Sequence, residues 1–211
     1  MIYDTKDLPS GFKIEVHYDD SPENPRKAWD NAGTVAILSS SCYDFADEEL
    51  SREDISGIAE DEGNLWLPIY IYDHSGITIK TTAFSCKWDS GQIGLIYMSK
   101  KKAKQEWPDA TDEQIYEYLK GEVEVLDQYL TNEVYGYRIF DHEGEEVASC
   151  WGFYGDADYV MKEAEEEAAY HEKKVLEQRR EAWLAALKEA REKRYWQQRG
   201  VLTGTLVTSY V

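Results

Sequence analysis

Two short segments of this 211-residue sequence pair an aspartate with a histidine: Asp73-His74-Ser75-Gly76 and Asp141-His142-Glu143-Gly144. An imidazole beside a carboxylate can exchange protons or hold a metal ion, provided a third group orients it or further ligands converge. Neither segment has such a group at local spacing. Both have the make-up of a turn. Aspartate at the first position can accept from the amides that follow, and glycine at the fourth can take positive φ without a Cβ clash. Each segment lies between runs that alternate apolar and polar. The spacing therefore predicts two hairpin turns, with Gly76 and Gly144 at positive φ. His74 is the better candidate for a surface role, because distinctive loop sequence surrounds it.

That distinctive sequence lies at 19–31, 72–76 and 84–94, and brings Asp19, Asp20, Arg26, Trp29, Asp30, Asp73, His74, Trp88 and Asp89 into candidate loops. If the loops converge, Asp19, Asp20, Asp30, Asp73 and Asp89 make an oxygen-rich cluster suited to a hard cation. The chemistry would then be metal-dependent phosphodiester cleavage. The simpler expectation is that each aspartate caps its own turn, with no metal and no cofactor. Other enzyme signatures are missing from the sequence: there is no phosphate-binding glycine loop, no dinucleotide fingerprint and no nucleophile elbow. Cys86 with His74 could be imagined as nucleophile and base, but a cysteine in an aromatic strand is more often core. Cys42, Cys86 and Cys150 are far apart in sequence, which predicts buried, unbridged thiols.

Charge points away from catalysis and toward binding. The chain holds 42 acidic and 23 basic residues, net −19. Residues 106–167 contain 19 acids and 3 bases, while residues 168–211 contain 9 bases and 5 acids. Such a surface repels nucleic-acid phosphates and attracts basic proteins. The simple role of acidity is solubility. The sharper reading assigns the partner surface to Asp109, Asp112, Glu113, Glu117, Glu122, Glu124 and Asp127. Helical spacing sets Glu113, Glu117 and Glu124 near one face, at a separation comparable to phosphates along a strand. The partner would be a basic host protein or nucleoprotein complex. No direct nucleic-acid contact and no membrane are expected: no apolar run is long enough to span a bilayer, and the N-terminal segment lacks the pattern of a secretory signal.

The elements that must position these residues read as α+β: an antiparallel sheet with packed helices and one long C-terminal helix. Strands are predicted at 11–18, 33–40, 66–73, 77–87, 92–98, 134–140 and 146–152, and an acidic helix at 47–63. A short helix follows from Lys100. The next, 112–130, is capped by Thr111 and Gln114 and carries Ile115, Leu119, Val123, Leu126 and Leu130 inward. From Ala157 to about Arg199 no glycine or proline interrupts a helix, acidic at its start and basic at its end, as the helix dipole favours. Its apolar positions keep no clean heptad. The expected division is a domain at 1–155, then the long helix with a terminal strand at 156–211, packed back on the domain or on a partner, which offers a route to a homodimer.

The stretches "SPENPR", "WDN", "YDHSG", "FSCKWDSGQIG" and "GEVEVLDQYLTNEVYGY" resemble a group of uncharacterised acidic proteins encoded by bacteriophages and other mobile elements. The resemblance covers roughly residues 11–154. It implies a setting, that of an accessory protein in the cytoplasm of a bacterial host cell, and carries over no functional residue. Combined with the acidity, it suggests an antagonist of a host factor, with mimicry of nucleic acid toward a restriction or CRISPR-type complex as one form. The alternatives are the metal-dependent nuclease above and a phage structural or assembly component.

Overall fold

A computed structural model describes residues 1–199. The fold is α+β, as expected, but its strands form two sheets rather than one. The first sheet contains β1 (Ile2–Asp7), β2 (Lys13–Tyr18), β8 (Val134–Phe140) and β9 (Glu146–Tyr154), in the order β1-β2-β8-β9 and wholly antiparallel. The second contains β3 (Thr34–Leu38), β4 (Glu48–Leu50), β5 (Asn64–Asp73), β6 (Ile77–Lys80) and β7 (Ser90–Ser99), in the order β4-β3-β7-β5-β6. Alternation along a strand says which residues share a face and not which sheet the strand joins. A single sheet was therefore the economical expectation, and the pairing of Ile14 with Ile139 across most of the chain overrides it.

Each sheet buries one face under one helix. Helix α4 (Asp112–Leu130) has the predicted Thr111–Gln114 capping box and lays Ile115, Leu119, Val123 and Leu126 on the second sheet, against Ile69, Ile79 and Ile96. Helix α5 (Ala157–Gln198) covers the first sheet with Ala157, Val160, Ala164 and Ala168, against Ile14, Val16 and Ile139. The alanines allow a close approach of helix to sheet. The opening turns of α5 thus complete a core whose strands belong to residues 12–18 and 134–153. The expected terminal strand at 201–211 lies outside the described residues.

Two local expectations differ. Residues 48–50 form a strand parallel to β3, and only Arg52–Glu60 is helical, as α2. Ser51 accepts from the Asp54 amide and starts that helix, which fixes the break. Residues 81–89 leave the sheet after a short β6. In the centre of the second sheet, Gly94 faces Ile37, and a Cβ there would sit 2.0 Å from the Ala36 carbonyl oxygen. Glycine lets β3 and β7 come together. The remaining helices are α1 (Pro25–Ala28), where Asn24 accepts from the Arg26 amide, and α3 (Lys100–Glu106).

Candidate functional site: an acidic groove walled by aromatic rings

The site starts from Arg26. Its side chain is only 3% exposed. The guanidinium donates through Nε and Nη2 to the Asp47 carboxylate, through Nη1 to Glu122 Oε2 at 2.7 Å, and through Nη2 to the Gly33 carbonyl at 2.7 Å. Both carboxylates also accept from backbone: Glu122 from the Ala32 amide at 2.6 Å and Asp47 from the Val35 amide at 2.8 Å. Burial works against the charged guanidinium, and the hydrogen bonds and charges of Asp47 and Glu122 outweigh it, so its pKa is raised. Planar fork geometry makes arginine suited to such a junction. It ties α1, the start of β3, the lead into β4 and α4 at one point.

Above this junction lies a groove of about 610 Å³, between the 25–32 segment, the end of α3 and the second face of α4. Trp29, Trp107 and Tyr118 supply aromatic walls, with Trp107 and Tyr118 centroids 5.4 Å apart. Asp30, Glu106 and Glu117 supply exposed carboxylates around them. Glu122 also lines the groove, but its charge is committed to Arg26. On α4 the lining positions are Glu117, Tyr118, Gly121, Glu122 and Val125, three or four residues apart. Gly121 stands mid-helix, where glycine costs about 1 kcal/mol relative to alanine. A Cβ there would meet nothing within 4 Å, so packing does not require the glycine. Its smallness keeps the groove open.

The predicted partner residues separate into two groups. Asp109, Asp112, Glu113, Glu117 and Glu124 are exposed. Glu122 and Asp127 commit their carboxylates to contacts within the fold, although Glu122 still borders the groove. Asp127 Oδ1 accepts from Thr78 Oγ1 at 2.8 Å and from the Ile79 amide at 2.7 Å, and so binds α4 to the edge strand β6. Helical spacing could not separate these roles, because the carboxylates that bond strand amides sit beside the core stripe. The outward row is itself interrupted: Lys120 stands 3.8 Å from Glu117 and 3.7 Å from Glu124.

The Asp-rich loops do not gather their carboxylates in one place. Among the described residues no group of three or more His, Cys, Asp or Glu side chains is placed to hold a metal. Asp19 accepts from the Ser21 amide in its own turn. Asp20 is exposed, 3.5 Å from the N-terminal amine. Trp29 and Asp30 line the groove, and Arg26 lies buried beneath it. Asp73, His74 and Asp89 do meet, since the Asp73 amide donates to the Asp89 carbonyl and His74 Nδ1 lies 3.7 Å from Asp89 Oδ2. The Cys86 thiol donates to that same Oδ2 at 3.7 Å, so its hydrogen-bond partner is Asp89 and not His74. Trp88 projects fully into solvent. The three cysteines are unbridged, but none is buried: Cys42 and Cys150 are exposed and Cys86 is half-buried.

Both Asp-His segments are turns, with different chemistry. In the second, Asp141 Oδ1 accepts from the Glu143 and Glu145 amides, and Gly144 has φ 85°. The Glu145 amide bond leads in drawing the Asp141 pKa below its ordinary value. His142 Nε2 accepts from Arg179 at 2.6 Å, joining the turn to α5. In the first, Ser75 rather than Gly76 takes the left-handed conformation, at φ 64°. The Asp73 carboxylate leaves its turn to accept from the Tyr43 hydroxyl at 2.7 Å. That bond, followed by burial, pushes the Tyr43 pKa up to about 12.

Two of the groove's aromatic walls, Trp107 and Tyr118, and the Glu106 carboxylate were not among the predicted residues. Trp107, Tyr118 and Glu106 carry a faint signal in sequence: a glycine inside a well-capped helix, flanked at helical spacing by an aromatic and acids. No helix of the described residues is long and apolar enough to cross a membrane. No protein-family model, curated protein or solved structure matches the chain.

Proposed function

We propose that the protein is a binding module that engages a basic partner through the groove between the 25–32 segment and α4. The observation that carries this reading is the combination of Trp29, Trp107 and Tyr118 with Asp30, Glu106 and Glu117 around one concavity. Aromatic faces attract cations, arginine most often, and nearby carboxylates reinforce that choice. The groove lies within the size range of ligand-binding clefts and has no nucleophile–base pair. The exposed Asp109, Asp112, Glu113 and Glu124 extend the acidic field beyond it and steer a basic partner in.

The resemblance of residues 11–154 to phage-encoded proteins makes that partner a host protein, bound in order to block it. A nucleic-acid-handling complex is the target whose basic surface fits best, and the chain would compete there with DNA or RNA. The test is capture from a bacterial lysate at about 50 and 200 mM salt, a range over which electrostatic binding weakens steeply. Captured proteins are identified by mass spectrometry. A basic nucleic-acid-binding protein, retained by the natural chain, released by DNA and lost with Glu117→Lys plus Trp29→Ala, is the expected result. Retention unchanged by those substitutions moves the binding surface elsewhere. Capture of virion proteins alone replaces the reading with an assembly role.

A further inference from the structure

The distal half of α5 poses a separate question. After Val175, which is still half-buried, the helix runs on to Gln198, about 35 Å at 1.5 Å per residue. Beyond the Arg179–His142 bond, no hydrogen bond or ion pair links this stretch to another element among the described residues. Helices without tertiary contacts are usually polar all round. This one exposes Leu176 at 64%, Trp183 at 62% and Leu187 at 47%. Spacing of three and four residues puts these on one face together with Arg180 and Arg194, while Arg191 flanks it. Glu181, Glu189 and Glu192 fall on the opposite side. The face is therefore apolar and arginine-rich, the composition of a protein-binding hot spot.

Its charge selects the occupant. Pairing this face with the same face of another copy would bring arginine against arginine. Arg180 and Arg194 lie within the apolar stripe rather than at its margins, which is unlike a helix lying on a lipid surface. The counterpart must be concave, acidic and aromatic, and the protein itself carries one such surface: its own groove. A continuous helix cannot turn back on its own groove, so the contact is between copies. From Trp183 onward the distal helix lies beyond about one screening length of Val175 at 1.5 Å per residue, so the acidic body only partly offsets its local positive charge.

We infer that the arginine-rich face of distal α5 docks into the Trp29–Trp107–Tyr118 groove of a second copy, giving head-to-tail association. This rests on the reading of the groove as a site for basic side chains. The contact is heterologous, so it would extend to chains or close into rings.

The test uses full-length protein in sedimentation velocity, up to roughly 0.5 mM, where a contact with millimolar Kd is detectable. One variant carries Trp183→Ala and Arg191→Glu; the other carries Glu117→Lys and Trp29→Ala. The natural chain is expected to gain mass with concentration and to lose that gain at high salt. Each variant alone is expected to remain a monomer. Mixed, they should form a 1:1 dimer and nothing larger, because the mixture holds one intact groove and one intact helix face. A natural chain that stays monomeric overturns the inference and leaves the lysate capture as the independent test of the groove. A groove variant that still self-associates, or a mixture that stays monomeric, overturns it equally.

Discussion

Arg26→Ala should destabilise the protein by about 3 kcal/mol. Removing one member of a buried ion pair typically costs about 3–5 kcal/mol, because the partner is left charged and unpaired. Here two carboxylates are stranded. Asp47 and Glu122 are 25% and 17% exposed, however, and each keeps a backbone amide donor, which places the loss at the bottom of that range. For a chain of this size the fall in Tm is about 6–12 °C. Urea denaturation gives the free energy, with an unchanged slope showing that the unfolded state is the same. Arg26→Lys keeps the charge without the fork and should recover only part. A double-mutant cycle of Arg26→Ala with Glu122→Gln should show a coupling of at least about 1 kcal/mol. A loss below about 1 kcal/mol for Arg26→Ala, or additive single effects, would refute the account of Arg26 as the junction under the groove. The same logic makes Glu122→Lys a destabilising substitution, unlike Glu117→Lys on the neighbouring surface.

Gly144→Ala should cost about 1 kcal/mol in thermal unfolding, since its surroundings are open and only the positive φ is at stake, whereas Ser75→Gly should be neutral or stabilising; the reverse order would mean the two turns are misassigned. His74→Ala should change stability by no more than about 0.5 kcal/mol. Tyr43 holds its proton more tightly when folded than the ordinary phenol at about 10. Its contribution is therefore complete below about pH 10 and is lost as pH rises toward 12; a difference titration against Tyr43→Phe with a midpoint near 10 would remove it. Gly121→Leu should leave stability nearly intact, because its Cβ direction is open, yet fill the groove and abolish partner capture; capture at the natural level would show that the groove is not the site.

Local pattern settled much of this protein in advance. The Thr111–Gln114 box, the Ile115–Leu126 stripe, the Asp141 turn and the uninterrupted helix from Ala157 are properties of a few neighbouring residues, where hydrogen bonds and side-chain spacing act over one or two turns. The break at Ser51 was missed because Glu48–Leu50 suits a helix by composition and becomes a strand only by pairing with β3. Tertiary structure decided the rest. That β2 pairs with β8, and that strands of like pattern divide between two sheets, depends on contacts across more than a hundred residues that no periodicity encodes. The site shows the same division. Charge content identified α4 as acidic, but identical carboxylates took opposite roles: Glu122 and Asp127 bond arginine and strand amides, while Glu117 and Glu124 face water. A carboxylate's role follows from the donors that folding brings within about 3 Å of it, and those donors come from residues 26–33 and 78–79, far from it along the chain.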